Sequence, residues 1–268
     1  MDISIIIVNF NTKDLVLECV SSIIKSKPKV SFEIIIIDNG SDGGNRIEIQ
    51  KSKYKLIMNK DNLGFARAVN QGIKKKVGKY ILLLNSDTVI KKETLDRFVN
   101  FASNIKDVGV VGARLLNIDG STQPSCFRLP TLWRTVAQYW FGDKGLLDKY
   151  YPYGINPVQV EAVVGGAFLI TPEALKKVGL LDERYFMYFE DLDYCCRVRN
   201  AELKVYYLPM AEIVHYHGAS GKALVSETNQ WRRLIPSSII YHGLLKHYII
   251  FFITWTGQKW QKLSHYFH

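Results

Sequence analysis

An α/β fold built on a mainly parallel sheet is what this 268-residue sequence predicts. Near-continuous apolar runs, SIIIVNF (4–10), FEIIIIDN (32–39) and KYILLL (79–84), alternate with helix-like segments. Strands of that kind are covered on both faces, as in parallel sheets flanked by helices. Three of the runs also turn polar at the same end: Asn9 with Asn11, Asp38 with Asn39, and Asn85 with Asp87. Ligands in such sheets bind beyond the carboxyl ends of the strands, so these polar ends describe one site.

Along the chain, Asn11 and Thr12 offer caps for a helix near 13–26, whose Leu15, Cys19, Ser22 and Ile23 recur at helical spacing. KYKLIMN (53–59) reads as a third strand, and GFARAVNQGIKKK (64–76) as a helix with Ala66, Val69, Asn70 and Ile73 on one face. KETLDRFVNFAS (92–103) is a further helix and DVGVVGARLLN (107–117) a further strand. Residues 120–160, with their Pro, Gly and aromatics, predict a long surface excursion. VEAVVGGAFLITPEAL (160–175) reads as strand, Gly-Gly turn, strand, then a helix begun by Thr171 and Pro172. FMYFEDLDYCCRVRNAEL (186–203) opens acidic and becomes helical, and KVYYLP (204–209) is a strand followed by AEIVHYHGASG.

The net charge of +10 favours anionic partners, whether phosphate-bearing substrates, acidic membrane surfaces or nucleic acid, and charge alone does not choose among them. Cys19, Cys126, Cys195 and Cys196 have no zinc-site spacing and read as free thiols in a reducing compartment. The N-terminal MDISIIIVNF lacks a basic leader and reads as the first strand. No G-x-x-x-x-G-K-[ST], no G-x-G-x-x-G after the first strand and no G-x-S-x-G are present, against a P-loop nucleotidase, an NAD enzyme and an α/β-hydrolase.

Each chemical candidate has an ordinary reading beside the functional one. Asp38 serves either a nucleobase or ribose, or an Asx turn closing its strand. Asp87 serves as a ligand for a hard divalent ion or as the cap of a following helix. Glu190, Asp191 and Asp193 are either an acidic helix N-terminus or a general base with tuning neighbours. His215 and His217 alternate on a strand and share a face, as structural residues or as metal ligands.

Taken in order, IIIVNFN, IIIIDNGSDGG, NLGFARAVNQG, YILLLNSD, GGAFLITPEAL, FMYFEDLDYCCR and HYHGAS resemble the family 2 glycosyltransferases, rhamnosyltransferase-type members most of all. The resemblance runs from about residue 3 to 221. It implies a GT-A fold, with a nucleotide-binding half over 1–117, an acceptor-binding half over 118–221 and a helical extension over 222–268. It puts NSD (85–87) at the family's D-x-D metal motif, with Asn85 replacing the first aspartate and Asp87 keeping the second. His215, in His215-Tyr-His-Gly218-Ala-Ser220, resembles the later metal or diphosphate ligand, with His217 the weaker candidate. Asp191 matches the catalytic base and Glu190 a residue that tunes it. Val8, Asn9, Asp38 and Asn39 fall to the base and ribose. Asn62, Gly64, Asn70, Asn85 and Ser86 fall to the nucleotide side, with Gly165 and Gly166 making room for the sugar.

The implied function is an inverting transfer that uses Mg²⁺ or Mn²⁺ and moves rhamnose from dTDP-rhamnose to a hydroxyl of a glycan or lipid-linked glycan. No nucleic-acid partner is expected. The alternatives are an inactive GT-A module that binds nucleotide or glycan, and a nucleotidyltransferase, for which IIIVNFNTKD lacks the Gly-rich basic loop. In the tail, the longest apolar run, Tyr248 to Ile253, is far short of a membrane span. Ser238, His242 and Lys246 lie four apart and predict one helix with a narrow polar stripe. Its broad apolar face suits in-plane binding on the inner face of the cell membrane with Trp255, Lys259 and Trp260 at the interface, or packing on the catalytic domain or a second subunit.

Overall fold

The computed structural model describes residues 1–47, 54–216 and 230–264. Its core is a mixed sheet, and the strands that carry the expected polar ends are all parallel. β1 (Ile3–Asn9) lies between β2 (Phe32–Asn39) and β4 (Tyr80–Leu84), and β3 (Lys55–Asn59) extends the sheet beyond β2. The register pairs Asn9 with Asp38 and Ile7 with Leu84, so Asn9, Asp38 and Asn85 come to the same edge.

Continuous apolar runs are needed here because both faces are buried. Ile5, Ile36 and Leu82 enter one core, while Ile6, Ile35 and Leu83 enter the other. The first core is covered by α1 (Lys13–Lys25) and α3 (Thr94–Asn104). The second is covered by α2 (Phe65–Lys75), α5 (Pro172–Val178) and α6 (Glu190–Asn200).

Antiparallel strands enter in the second half. β10 (Ala167–Ile170) inserts between β4 and β6 (Val108–Leu116) and runs opposite to both. β11 (Lys204–His215) is parallel to β6 and carries β8 (Val158–Val160) and β5 (Thr88–Ile90) along its other edge. A small ribbon of β7 (Cys126–Phe127) and β9 (Ala162–Val163) stands beside the main sheet.

Three expectations are corrected. No helix follows Asp87 directly: the chain enters β5, and α3 starts seven residues later at Thr94. The excursion over 120–160 contains a capped helix, α4 (Leu132–Trp140), with the Thr131 side chain accepting from the Arg134 N–H. The tail is two helices, α7 (Gln230–His242) and α8 (Leu244–Ser264), because Gly243 between them takes a left-handed φ of 76°. The stripe of Ser238, His242 and Lys246 is therefore broken. All four cysteines are free.

Candidate active site

The strand ends build a cleft of about 550 Å³ lined by Val8, Phe10, Thr12, Asn39, Asn62, Gly64, Phe65, Asn85, Ser86, Phe186 and Met187. Its floor is an amide network. Asn39 donates to the Asn62 Oδ1 at 2.9 Å and accepts from the Asn59 Nδ2 at 2.9 Å, and the Gly64 N–H also reaches the Asn62 Oδ1 at 2.9 Å. Gly64 has φ +85°, and a Cβ there would come within 2.7 Å of the Phe186 carbonyl oxygen. Only glycine lets the start of α2 lie against the 186–189 loop, where the Phe65 N–H donates to that carbonyl at 2.7 Å.

Three sequence candidates, Asp38, Asn9 and Asn70, are turned inward instead. The Asp38 carboxylate is buried and takes hydrogen bonds from the Asn9 Nδ2, the Ser41 N–H and the Ile47 N–H at 2.9–3.0 Å. It organises the loop after β2, as an Asx turn does. Asn9 spends its amide on Asp38, Ser41 and Asn45, and its Oδ1 on Thr12. Thr12, at the N-cap position of α1, turns its hydroxyl to Asn9 and Ser86 in place of the helix. Asn70 is fully buried and clamps the backbone of Leu181 and the Glu183 carboxylate to α2.

Asp191, the second residue of α6, lies beside a second hollow of about 200 Å³, lined by Phe65, Leu83, Gly165, Phe168, Leu181, Glu190, Asp191 and Tyr194. Phe65 belongs to both hollows, so they adjoin. The Asp191 Oδ2 accepts from the Gly165 N–H at 2.9 Å, and its Oδ1 from the Leu192 N–H at 2.8 Å. Burial raises its pKa, opposed by those two donors and the charge of Lys149. Burial also raises that of Glu190, and the Asp191 charge adds to it. Two adjacent carboxylates in such a place do not both ionise readily. Asp191 has the donors that favour an anion, whereas the buried Glu190 Oε2 has no hydrogen-bond partner among the described residues. Asp191 is therefore the ionised member and Glu190 the one that keeps the proton.

The loop leading to these carboxylates is strained. Tyr188 and Phe189 take consecutive left-handed φ values of 70° and 69°. That conformation costs about 1–3 kcal/mol per residue and gathers at functional sites.

Asp87 is fully buried, with its Oδ1 3.4 Å from the His215 Nε2. The pairing of β5 with β11 sets this distance, because Thr88 lies opposite His215. The His215 Nδ1 meets the Gln123 Oε1 at 2.9 Å, and the Gln123 Nε2 donates to the His215 carbonyl at 2.7 Å. Since that amide oxygen only accepts, Nδ1 carries a proton and donates to it, which leaves Nε2 as the ring nitrogen turned toward Asp87. Gln123 sits in an undistinguished stretch, and no sequence signal marked it. A Cβ on Gly166 would lie 3.8 Å from both the Asn85 Nδ2 and the His215 Nε2, and one on Gly165 would lie 3.6 Å from the Asp191 Oδ2. The two glycines thus bridge the Asp87–His215 pair and the Asp191 carboxylate. No group of three or more Cys, His, Asp and Glu suited to a metal occurs among the described residues. Asp87 and His215 are the two described side chains that could hold a hard cation here, with further oxygen ligands coming from a substrate. His217, Gly218 and Ser220 lie outside the described residues.

Comparison with known proteins converges on one family. The profile of glycosyl transferase family 2 matches residues 4–147, more than half of the chain. An N-acetylglucosaminyl-diphospho-decaprenol L-rhamnosyltransferase of Mycobacterium tuberculosis is 28% identical over 207 residues, covering 70% of this chain and 67% of that protein. The rhamnosyltransferase WbbL of Escherichia coli is 24% identical over 155 residues, covering 57% of this chain and 58% of its own. Among solved structures, GalNAc-T7 with UDP, GalNAc and Mn²⁺ superposes with a TM-score of 0.61 at 18% identity, over 80% of this chain and 44% of that one. Staphylococcus aureus TarS superposes with a TM-score of 0.56 at 17% identity, over 89% of this chain and 39% of that one. This chain therefore spans less than half of either solved structure. The fold is GT-A, and the chain belongs to glycosyl transferase family 2 as a glycosyltransferase.

Proposed function

We propose that the protein transfers a sugar, rhamnose from dTDP-rhamnose, with inversion to a hydroxyl of a lipid-linked or polysaccharide glycan. The observation that carries this reading is the placement of Asp191. Its carboxylate is held by two backbone N–H groups beside a hollow that adjoins the amide-floored cleft.

The nucleotide and diphosphate would lie in the cleft over Asn39, Asn62, Asn85 and Ser86, with Gly64 permitting close approach. The sugar would lie against Gly165 and Gly166. Asp191 takes the proton of the acceptor hydroxyl as that oxygen attacks the anomeric carbon. The bond from that carbon to the diphosphate oxygen breaks, and the nucleoside diphosphate leaves with the bonding electrons. A positioned base typically contributes about 10²–10⁴-fold to such a step. Glu190, holding a proton, adds no second negative charge beside the base.

Asp87 and His215 would hold Mg²⁺ or Mn²⁺, with Gln123 fixing the imidazole. Such an ion, when bound, supplies positive charge that neutralises the diphosphate. The relatives named for rhamnosyl transfer, one of them onto a decaprenyl-diphosphate sugar, support the donor and acceptor assignments.

A panel of UDP, GDP and dTDP sugars, read by thermal shift and donor hydrolysis with Mg²⁺ or Mn²⁺, tests the assignment. The expected result is stabilisation and turnover with dTDP-rhamnose. Turnover with only a UDP or GDP sugar would refute the donor assignment. Binding without turnover of any donor would leave an inactive module.

A further inference from the structure

We infer that the outer face of α8, together with α4, is a docking surface for a bilayer containing anionic phospholipid. Leu244, Leu245, Tyr248, Phe251, Phe252 and Trp255 are all exposed and recur at three- and four-residue spacing, so they form one stripe along the helix. Phe251 and Phe252 are each 62% exposed, more than scattered surface apolars explain. The stripe ends in Lys259 and Lys262, both exposed on the same side of the helix.

The opposite side of α8 is taken up by the protein. Gly257 lies against Tyr139, where a Cβ would come within 2.7 Å. The Gln261 Nε2 donates to the Gln138 and Tyr139 carbonyls, and Trp140 stacks on Trp260 while its Nε1 donates to the Ile253 carbonyl. The stripe is therefore exposed by construction, on a helix held firmly to the domain. Beyond that contact α4 presents its own aromatics, Trp133 and Phe141, with ring centroids 6.1 Å apart and both largely exposed.

Charge selects the occupant. Residues 230–264 contain no Asp or Glu. A second copy of the chain docking stripe to stripe would bring the lysines of both helices into the contact with no acid on either helix to pair them. An anionic lipid surface supplies the missing negative charge, and apolar stripe plus terminal lysines is the pattern of a helix lying in the interface plane. The helix lies on such a surface rather than crossing it, since no described helix is long and apolar enough to span a membrane.

The test is co-sedimentation of the full chain with vesicles of phosphatidylcholine alone and of phosphatidylcholine mixed equally with phosphatidylglycerol. The expected result is capture by the mixed vesicles and little by phosphatidylcholine alone. Lys259→Gln and Lys262→Gln should each weaken capture about fivefold. Phe252→Ser with Trp255→Ser should abolish it, with an unchanged thermal melting profile showing that the domain is intact. Equal capture by both vesicle types, no capture by either, or a dimer in light scattering that Phe252→Ser with Trp255→Ser dissolves would overturn the inference.

Discussion

The Gln123 Oε1 sits 2.9 Å from the His215 Nδ1, and this contact decides which imidazole nitrogen faces Asp87. A histidine oriented in this way presents Nε2 toward a cation held at Asp87, and an orienting partner of this kind commonly contributes about 10–100-fold to affinity. Gln123→Leu should therefore weaken Mn²⁺ binding by about 10–100-fold, measured by calorimetry in the presence of nucleoside diphosphate. Unchanged affinity would separate His215 from the metal.

Gly64→Ala should be strongly destabilising. The residue has φ 85° and ψ 166°, a region open almost solely to glycine, and a Cβ there would strike the Phe186 carbonyl. The expected loss is about 1–3 kcal/mol from the backbone alone, read as a lowered midpoint in urea unfolding. A Gly179→Ala control, also at positive φ but with nothing within 4 Å of its Cβ, isolates the contribution of the contact with Phe186.

Glu190 gives the fold a pH dependence. Its pKa is raised in the folded state, so the native protein binds more protons than the unfolded chain between the two values. Stability is then fully present below the ordinary Glu value of 4.5 and declines as pH rises through the raised one. Glu190→Gln should flatten that decline in melting temperature and leave nucleotide binding intact. A decline as steep as in the parent protein would assign it to other groups.

The tail also touches the 186–189 loop. The Ser237 Oγ donates to the Met187 carbonyl at 2.9 Å, and the Tyr241 ring lies 5.5 Å from that of Phe189. Both contacts brace the left-handed residues just before Glu190 and Asp191. Ser237→Ala, at a cost of about one hydrogen bond, should lower kcat by up to about fivefold with little change in donor KM. A change in KM alone would place the effect in the nucleotide cleft.

Much of this architecture was legible because two-sided burial demands uninterrupted apolar strands, which β1, β2 and β4 display. Their shared polar edge followed from the parallel register. Less could be read where one local signal serves two outcomes. Asp87 before Thr88 looks like a helix cap, yet pairing with β11 draws Thr88–Ile90 into the sheet. The buried polar ends at Asp38 and Asn70 looked like ligand contacts, but each finds its partners within the chain. Gln123 carries no pattern at all, because its role arises from a contact with a residue 92 positions away.

Asp191→Asn tests whether Asp191 is the base of the proposed sugar transfer. The amide keeps the size of the side chain and cannot take the proton. With dTDP-rhamnose, acceptor and Mn²⁺, turnover should fall by about 10²–10⁴-fold while nucleotide affinity stays unchanged. Turnover within a few fold of the parent enzyme would contradict that role.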